Sequence, residues 1–146
     1  MSMKTFYKDK YEYDLAANIQ LIEVIETCSN EYVLKMMSHI LNAQYFWNHR
    51  ILKKDFEYGV WDIHEATDLK KLAEEFNQTT ILIIEQYDLN DYLKYQTING
   101  VTYKNTIDNV LYHVLNHSSY HRGQVITELK AIGGDLPDTN FISYKR

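Results

Sequence analysis

Thr106-Ile-Asp-Asn-Val-Leu-Tyr-His-Val-Leu-Asn-His117-Ser-Ser-Tyr-His121-Arg-Gly-Gln124-Val-Ile-Thr-Glu128-Leu-Lys-Ala131 carries a stripe that changes character along its length. At about 100° per residue, Ile107, Val110 and Val114 share one helical face. The same face continues as His117, His121, Gln124 and Glu128. Threes and fours in that order predict a long helix from near Thr106 to about Ala131, with Asp108 in its first turn. Gly133-Gly134 ends it and Pro137 prevents its resumption. A helix whose buried face turns from hydrocarbon to imidazole and amide needs partners for both kinds of surface.

Those partners lie upstream. Tyr and β-branched residues flank Asn99-Gly100 within Asp91 to Lys104, the signal of a small hairpin with a tight turn. Before it, Leu69, Leu72, Phe76, Thr79, Ile83 and Tyr87 form the stripe of a helix from about Asp68 to Tyr87, with Thr67 or Asp68 as its N-cap. Asp55 to Thr67, with Gly59, reads as a connection. Glu31 to about Lys54 repeats Val33, Met36, Ile40, Ala43, Trp47 and Ile51 at bundle spacing. Tyr13 to about Cys28 places Leu15, Ile19, Ile22 and Ile25 on one face, and Ser29-Asn30 supplies cap chemistry. The tail after Asp138 has room for one helical turn. The fold class expected is all-α, an up-down four-helix bundle over residues 1–146 as one domain, with the hairpin between helices three and four on an end or side of the bundle.

Composition agrees. The 146 residues hold one Pro and five Gly, too few breakers for a loop-rich fold. Hydrophobic residues at 45% and charged residues at 24% exclude a disordered chain. No apolar run is long enough to span a membrane, and the N-terminus carries no secretory signal, so the cytoplasm is the expected compartment. The net charge of −5 disfavours nucleic acid or an anionic membrane as partner. The single Cys28 excludes a disulfide framework or thiolate cluster, which leaves six histidines as the plentiful ligands.

Position divides the six. His117 and His121, four apart, converge on one point of the core face, with His113 a turn earlier and nearer the flank. His39 lies at the edge of the second helix's core stripe, beside Met36, Ala43 and Phe46. His49 points away from the seam toward solvent, and His64 sits in the connection at the surface. Unpaired polar groups in a core cost about 1–3 kcal/mol each. A metal would satisfy His117 and His121 together, with His39 able to complete three ligands from a facing helix. Three neutral imidazoles leave a position for water, as in catalytic zinc sites. The same spacing also fits two core histidines bonded to carbonyls, to Gln124 or to Glu128.

Other motifs are missing. His117-Ser-Ser-Tyr-His121 has Ser where a metalloprotease of the HExxH type places its general base. No Glu precedes a His by three, so the di-iron pattern is absent. Gln124 shares the histidine face and is a candidate to orient a bound nucleophile or substrate, or is a packing amide. Asn18 on the first helix is a candidate for the pocket wall. Arg122 reads as a structural partner of a carboxylate, and Gly123 as a point of close helix approach. Tyr45, Phe46, Trp47 and Trp61 are available to line a small-molecule pocket or to fill the core.

The stretch from His113 to Val125, with its Arg122-Gly-Gln124, resembles the signature of the DinB/YfiT-like bundle proteins. Tyr13-Asp-Leu-Ala-Ala-Asn18, His39-Ile-Leu-Asn-Ala-Gln-Tyr-Phe-Trp47, the turn at Asn99-Gly100 and Leu136-Pro-Asp-Thr-Asn-Phe-Ile-Ser-Tyr144 extend the resemblance over nearly the whole chain. It implies a divalent metal, usually zinc or nickel, held by His39, His117 and His121. It further implies a transferase or isomerase using a bacterial low-molecular-weight thiol, and a homodimer. The expected activity is thiol transfer to a small electrophile. A metal-dependent hydrolase, or a non-catalytic metal-binding stress-response protein, is the alternative.

Overall fold

The computed structural model describes residues 1–146. It is mostly helical, with one small antiparallel sheet: α1 Met3–Ile25, α2 Glu31–Leu52, α3 Leu69–Gln86, β1 Tyr92–Gln96, β2 Thr102–Thr106, α4 Ile107–Ala131 and α5 Phe141–Tyr144. No helix is long and apolar enough to cross a membrane. A 3₁₀ turn at Ala66–Asp68 precedes α3.

The helix ends follow local chemistry. Ser2, Asn30 and Thr106 cap α1, α2 and α4, their side chains accepting from the amides of Thr5, Val33 and Asn109. Asp68 stands at the N-cap of α3 but makes no capping bond, against expectation, because the 3₁₀ turn already holds its backbone at helical angles. At the end of α4, Gly133 takes φ +83°, and the amides of Gly133 and Gly134 bond the carbonyls of Lys130 and Leu129. That is a Schellman closure. α2 closes in the same way, yet the left-handed position falls on Lys53, at φ 56°.

α1 begins ten residues before the expected Tyr13, since Met3 is its first residue. Its early inward positions are Tyr7, Tyr11 and Asp14, so the buried stripe is aromatic and polar rather than aliphatic. The hairpin pairs Tyr92 with Thr106 and Gln96 with Thr102. Its loop spans three residues, Ile98 to Gly100, rather than closing on Asn99-Gly100 alone. The Gly100 amide bonds the Thr97 carbonyl, and Gly100 at φ +79° then returns the chain to the ladder.

The order of the helices differs from simple alternation. α2 packs most extensively on α4 and next on α3, whereas α1 packs on α3 and α4 and touches α2 little. Val33 and Met37 of α2 share one half of the core with Leu69 and Ala73 of α3, and Ile51 shares the other half with Ile83 and Ile84, so residue numbers rise together along α2 and α3. Between the halves, Gln44 bonds Asn77 and Thr80, and Asn48 bonds the Phe76 carbonyl and accepts from Thr80. These two helices therefore run parallel. Along α2 and α4 the numbers run oppositely, with Asn30 bonded to Glu128 and His39 to His117. The chain must return the length of α2 between them. The segment from Lys53 to Glu65 makes that return, held by side chains of α2. The Tyr45 hydroxyl accepts from the Glu57 amide, Asn42 donates to the Asp62 carbonyl, and the Ser38 hydroxyl accepts from the His64 amide.

The core falls into two apolar halves. One gathers Leu21, Ile25, Val33, Met37, Leu69 and Leu129; the other gathers Tyr11, Ile51, Ile83, Ile84, Leu111 and Val114. Midway along α2 and α4, between these halves, stand the polar residues of the site.

Candidate metal centre

His117 and His121 project from the middle of α4, and His39 meets them from α2. One ring nitrogen from each lies within 4.8 Å of the others. The Nε2 atoms of His39 and His117 are 3.1 Å apart. The sequence expectation that these three converge is met.

Their partners decide what the nitrogens can do. His39 donates from Nδ1 to the Val60 carbonyl at 2.8 Å, and His121 donates from Nδ1 to Gln124 Oε1 at 2.7 Å. Each bond places the ring proton on Nδ1 and leaves the Nε2 lone pair aimed into the cluster. His117 Nδ1 is buried without a partner. Lone pairs converging at hydrogen-bond distance repel unless a proton or a cation stands between them. One divalent cation satisfies all three at once, and the 3.1 Å spacing suits two nitrogens each about 2.0–2.1 Å from one metal. The donor set thus fits a metal of borderline softness.

The electrostatics agree. His117 has its pKa lowered to about 4, by burial first and then by the neighbouring imidazoles of His121, His39 and His113. His39 is also lowered by burial, partly opposed by its bond to Val60. Neutral imidazole is the ligating form, so both shifts keep the ligands ready near neutrality.

The surroundings close one side. The Trp61 indole stacks on His39 at 3.7 Å between ring centroids, with 6° between planes, and Lys35 lies over its ring. A cavity of about 160 Å³, walled by Ala43, Phe46, Trp47, Val114 and His113, opens beside His39 and His117. His113 is therefore a wall of this cavity, on an exposed part of α4. Phe46 and Trp47 also line it, whereas Tyr45 is buried in the core against Tyr58 and Phe76.

Gln124 bonds His121, so it stands beside the centre and orients a ligand ring. Several other expectations are corrected. Asn18 does not wall the histidine cavity. It accepts from Arg122 at 2.9 Å in a second buried cluster, where Arg122 also meets Asp14 Oδ1 at 2.8 Å and Ser118 at 3.1 Å. Arg122 thus has the carboxylate its structural role requires. Gly123 is exposed, and no atom would meet a Cβ placed there, so it does not mediate close helix approach. His64 is half-buried rather than a surface residue. It donates to Asn42 Oδ1 at 2.6 Å, and burial lowers its pKa. His49 is half-buried too, stacked near Tyr45 and bonded to the Asp55 carbonyl. Both are drawn in because the return segment covers the outer face of α2.

Sequence reasoning missed Val60 and the stacking of Trp61 on His39, although it named Trp61 as a pocket or core aromatic, and it missed Asp14. The first acts through a backbone carbonyl and the second from a connection, and neither position follows a period. Asp14 had a signal: a lone acid inside an otherwise inward-facing stretch of α1, one helix away from an unmatched Arg.

Comparison with known proteins agrees with this geometry. The family model described as the DinB family matches residues 1–146. Protein DinB of Bacillus subtilis (strain 168) is 26% identical over an alignment covering 97% of this chain and 95% of the relative. The chain belongs to the DinB family.

Proposed function

We propose that this protein is an enzyme with an open three-histidine metal centre, which transfers a low-molecular-weight thiol to a small electrophile. The fold behind that proposal is a four-helix bundle, with α2 and α3 parallel, whose middle layer is the centre. The carrying observation is the donor set: three imidazoles converge, two of them oriented by Val60 and Gln124, and no fourth protein ligand joins them. His39, His117 and His121 would hold the ion, with zinc or nickel the preferred identity.

A divalent metal bound there supplies Lewis acidity that lowers the pKa of a coordinated thiol or water. The chain's own residues do the rest. Val60 and Gln124 fix two imidazoles in the ligating tautomer. Trp61 excludes water from one side of His39. Phe46, Trp47 and Val114 offer an apolar wall against which a small electrophile can rest. We further propose a cytoplasmic homodimer, with neither nucleic acid nor membrane as partner.

Metal analysis of untagged protein tests the centre. Wild type should purify with close to one metal per chain and His117→Ala with little. Equal contents in the two would sink the proposal. A panel of thiols and electrophiles, run on metal-loaded protein, then tests the reaction. Turnover with water alone would replace transferase by hydrolase, and no turnover with exchange-inert metal would leave a binding protein.

A further inference from the structure

A second cavity, of about 230 Å³, adjoins the first and shares Trp47 and His113 with it. Its remaining walls come from Tyr95 and Asn105 of the hairpin and from Asn109 and Val110 of α4. The hairpin thus makes one side of a cleft that leads from the histidines along α4. From His117 back to Asn109 is eight residues, or roughly 12 Å of helix.

The polar groups at the far end are donors without acceptors. The Tyr95 hydroxyl donates to Asn105 Oδ1 at 2.7 Å, which turns the amide nitrogen of Asn105 away with two hydrogens and no protein acceptor. The Asn109 side chain makes no protein hydrogen bond. Arg50 is not itself a wall of either cavity but packs on residues that are: its guanidinium lies 4.8 Å from the Trp47 ring, 4.6 Å from the Tyr95 ring and 4.3 Å from the Phe46 ring. Arg50 pairs with none of the chain's carboxylates; its bond is a long one, 3.4 Å, to the Gln96 carbonyl. An arginine fixed by aromatic rings and lacking an anion is pre-organised to receive one, and its planar fork matches a carboxylate. Between this end and the histidines the walls are apolar: Val110, Val114, Trp47 and Phe46.

We infer that the cleft between the hairpin and α4 binds the carboxylate end of a small molecule, at Asn105 and with Arg50, packed on the aromatic walls, supplying the counter-charge, while an apolar or extended middle section reaches toward the histidines. Which atom of that molecule reacts rests on the function proposed above; the carboxylate subsite does not.

Octanoate tests the cleft alone, because it has the length and the carboxylate but no thiol. On zinc-loaded protein it should shift the Trp47 indole resonance in proton–nitrogen correlation spectra saturably, and octanol should do so far less. Arg50→Gln should weaken octanoate by about tenfold or more, the size expected for a lost charge-assisted bond. Asn109→Asp, an exposed change that adds a negative charge, should weaken it as well. Equal binding of octanol, an unmoved Trp47 resonance, or unchanged affinity in both variants would overturn the inference. Mercaptooctanoate separates the two readings. If it binds no tighter than octanoate while octanoate still needs Arg50, the cleft stands and the thiol chemistry of the centre fails.

Discussion

Gln124 shows how much rests on one side chain that touches no substrate. Its carbonyl fixes the His121 proton on Nδ1, and partners of this kind are worth about 10–100-fold in metal affinity. Gln124→Ala should weaken zinc by that factor in a competition titration, without unfolding the chain; Gln124→Glu, which keeps the acceptor, should restore most of it. His117 sets the response to pH. Its pKa is lowered to about 4 when folded, against about 6.5 in an unfolded chain, so below neutrality the unfolded state binds more protons. The metal-free protein should therefore lose stability as pH falls from about 6.5 toward 4, and His117→Gln should flatten that slope in urea unfolding. Lys53 is a third such residue. It pays the steric cost of a left-handed φ of 56°, which glycine avoids. Lys53→Gly should raise the unfolding free energy by about 0.5–1 kcal/mol, net of its greater freedom when unfolded.

Between α1 and α4 the decisive contact is an ion pair. Asp14 and Arg122 are 3% and 4% exposed, so each charge depends on the other. Asp14→Ala strands a buried guanidinium and should cost about 3–5 kcal/mol in urea unfolding. Adding Arg122→Met should recover part of that loss, since the double variant leaves no buried charge. The helices themselves were readable in sequence to different depths. α4, α2 and the hairpin announce themselves through period, caps and glycines. The first ten residues of α1 do not, because Tyr7 and Tyr11 face inward among lysines and acids and no aliphatic stripe marks the face. The direction of α3 was also hidden: an amphipathic stripe has the same period whichever way the helix runs. For the site, His39, His117 and His121 were legible from spacing and resemblance. Val60 was not, and Trp61 was legible only as an aromatic for a pocket or core, because a connection is placed by tertiary contacts that leave no repeat.

For the molecule as a whole, the histidines join positions far apart in the chain, with His39 and His117 separated by 78 residues. A metal bound to the folded state alone adds stability by mass action, about 2.7 kcal/mol when free metal is a hundredfold above its dissociation constant. Chelation should lower the urea midpoint accordingly, and His117→Ala should remove the difference between chelated and metal-supplemented samples. The amide ladders of the four long helices do not depend on the ion, so far-ultraviolet circular dichroism should change little.

The return segment from Lys53 to Glu65 is anchored to α2 almost wholly by side chains, through Ser38, Asn42, Tyr45 and His39. Few of its own amides belong to a cooperative ladder, so it is the part of the centre's enclosure that can detach while every helix remains intact. Its amides should accordingly exchange with deuterium well before those of α2 and α4. Exposure of the His39 side of the centre then follows a local opening equilibrium, uncoupled from global unfolding, and the cost of lifting Trp61 from His39 sets how often that side meets solvent.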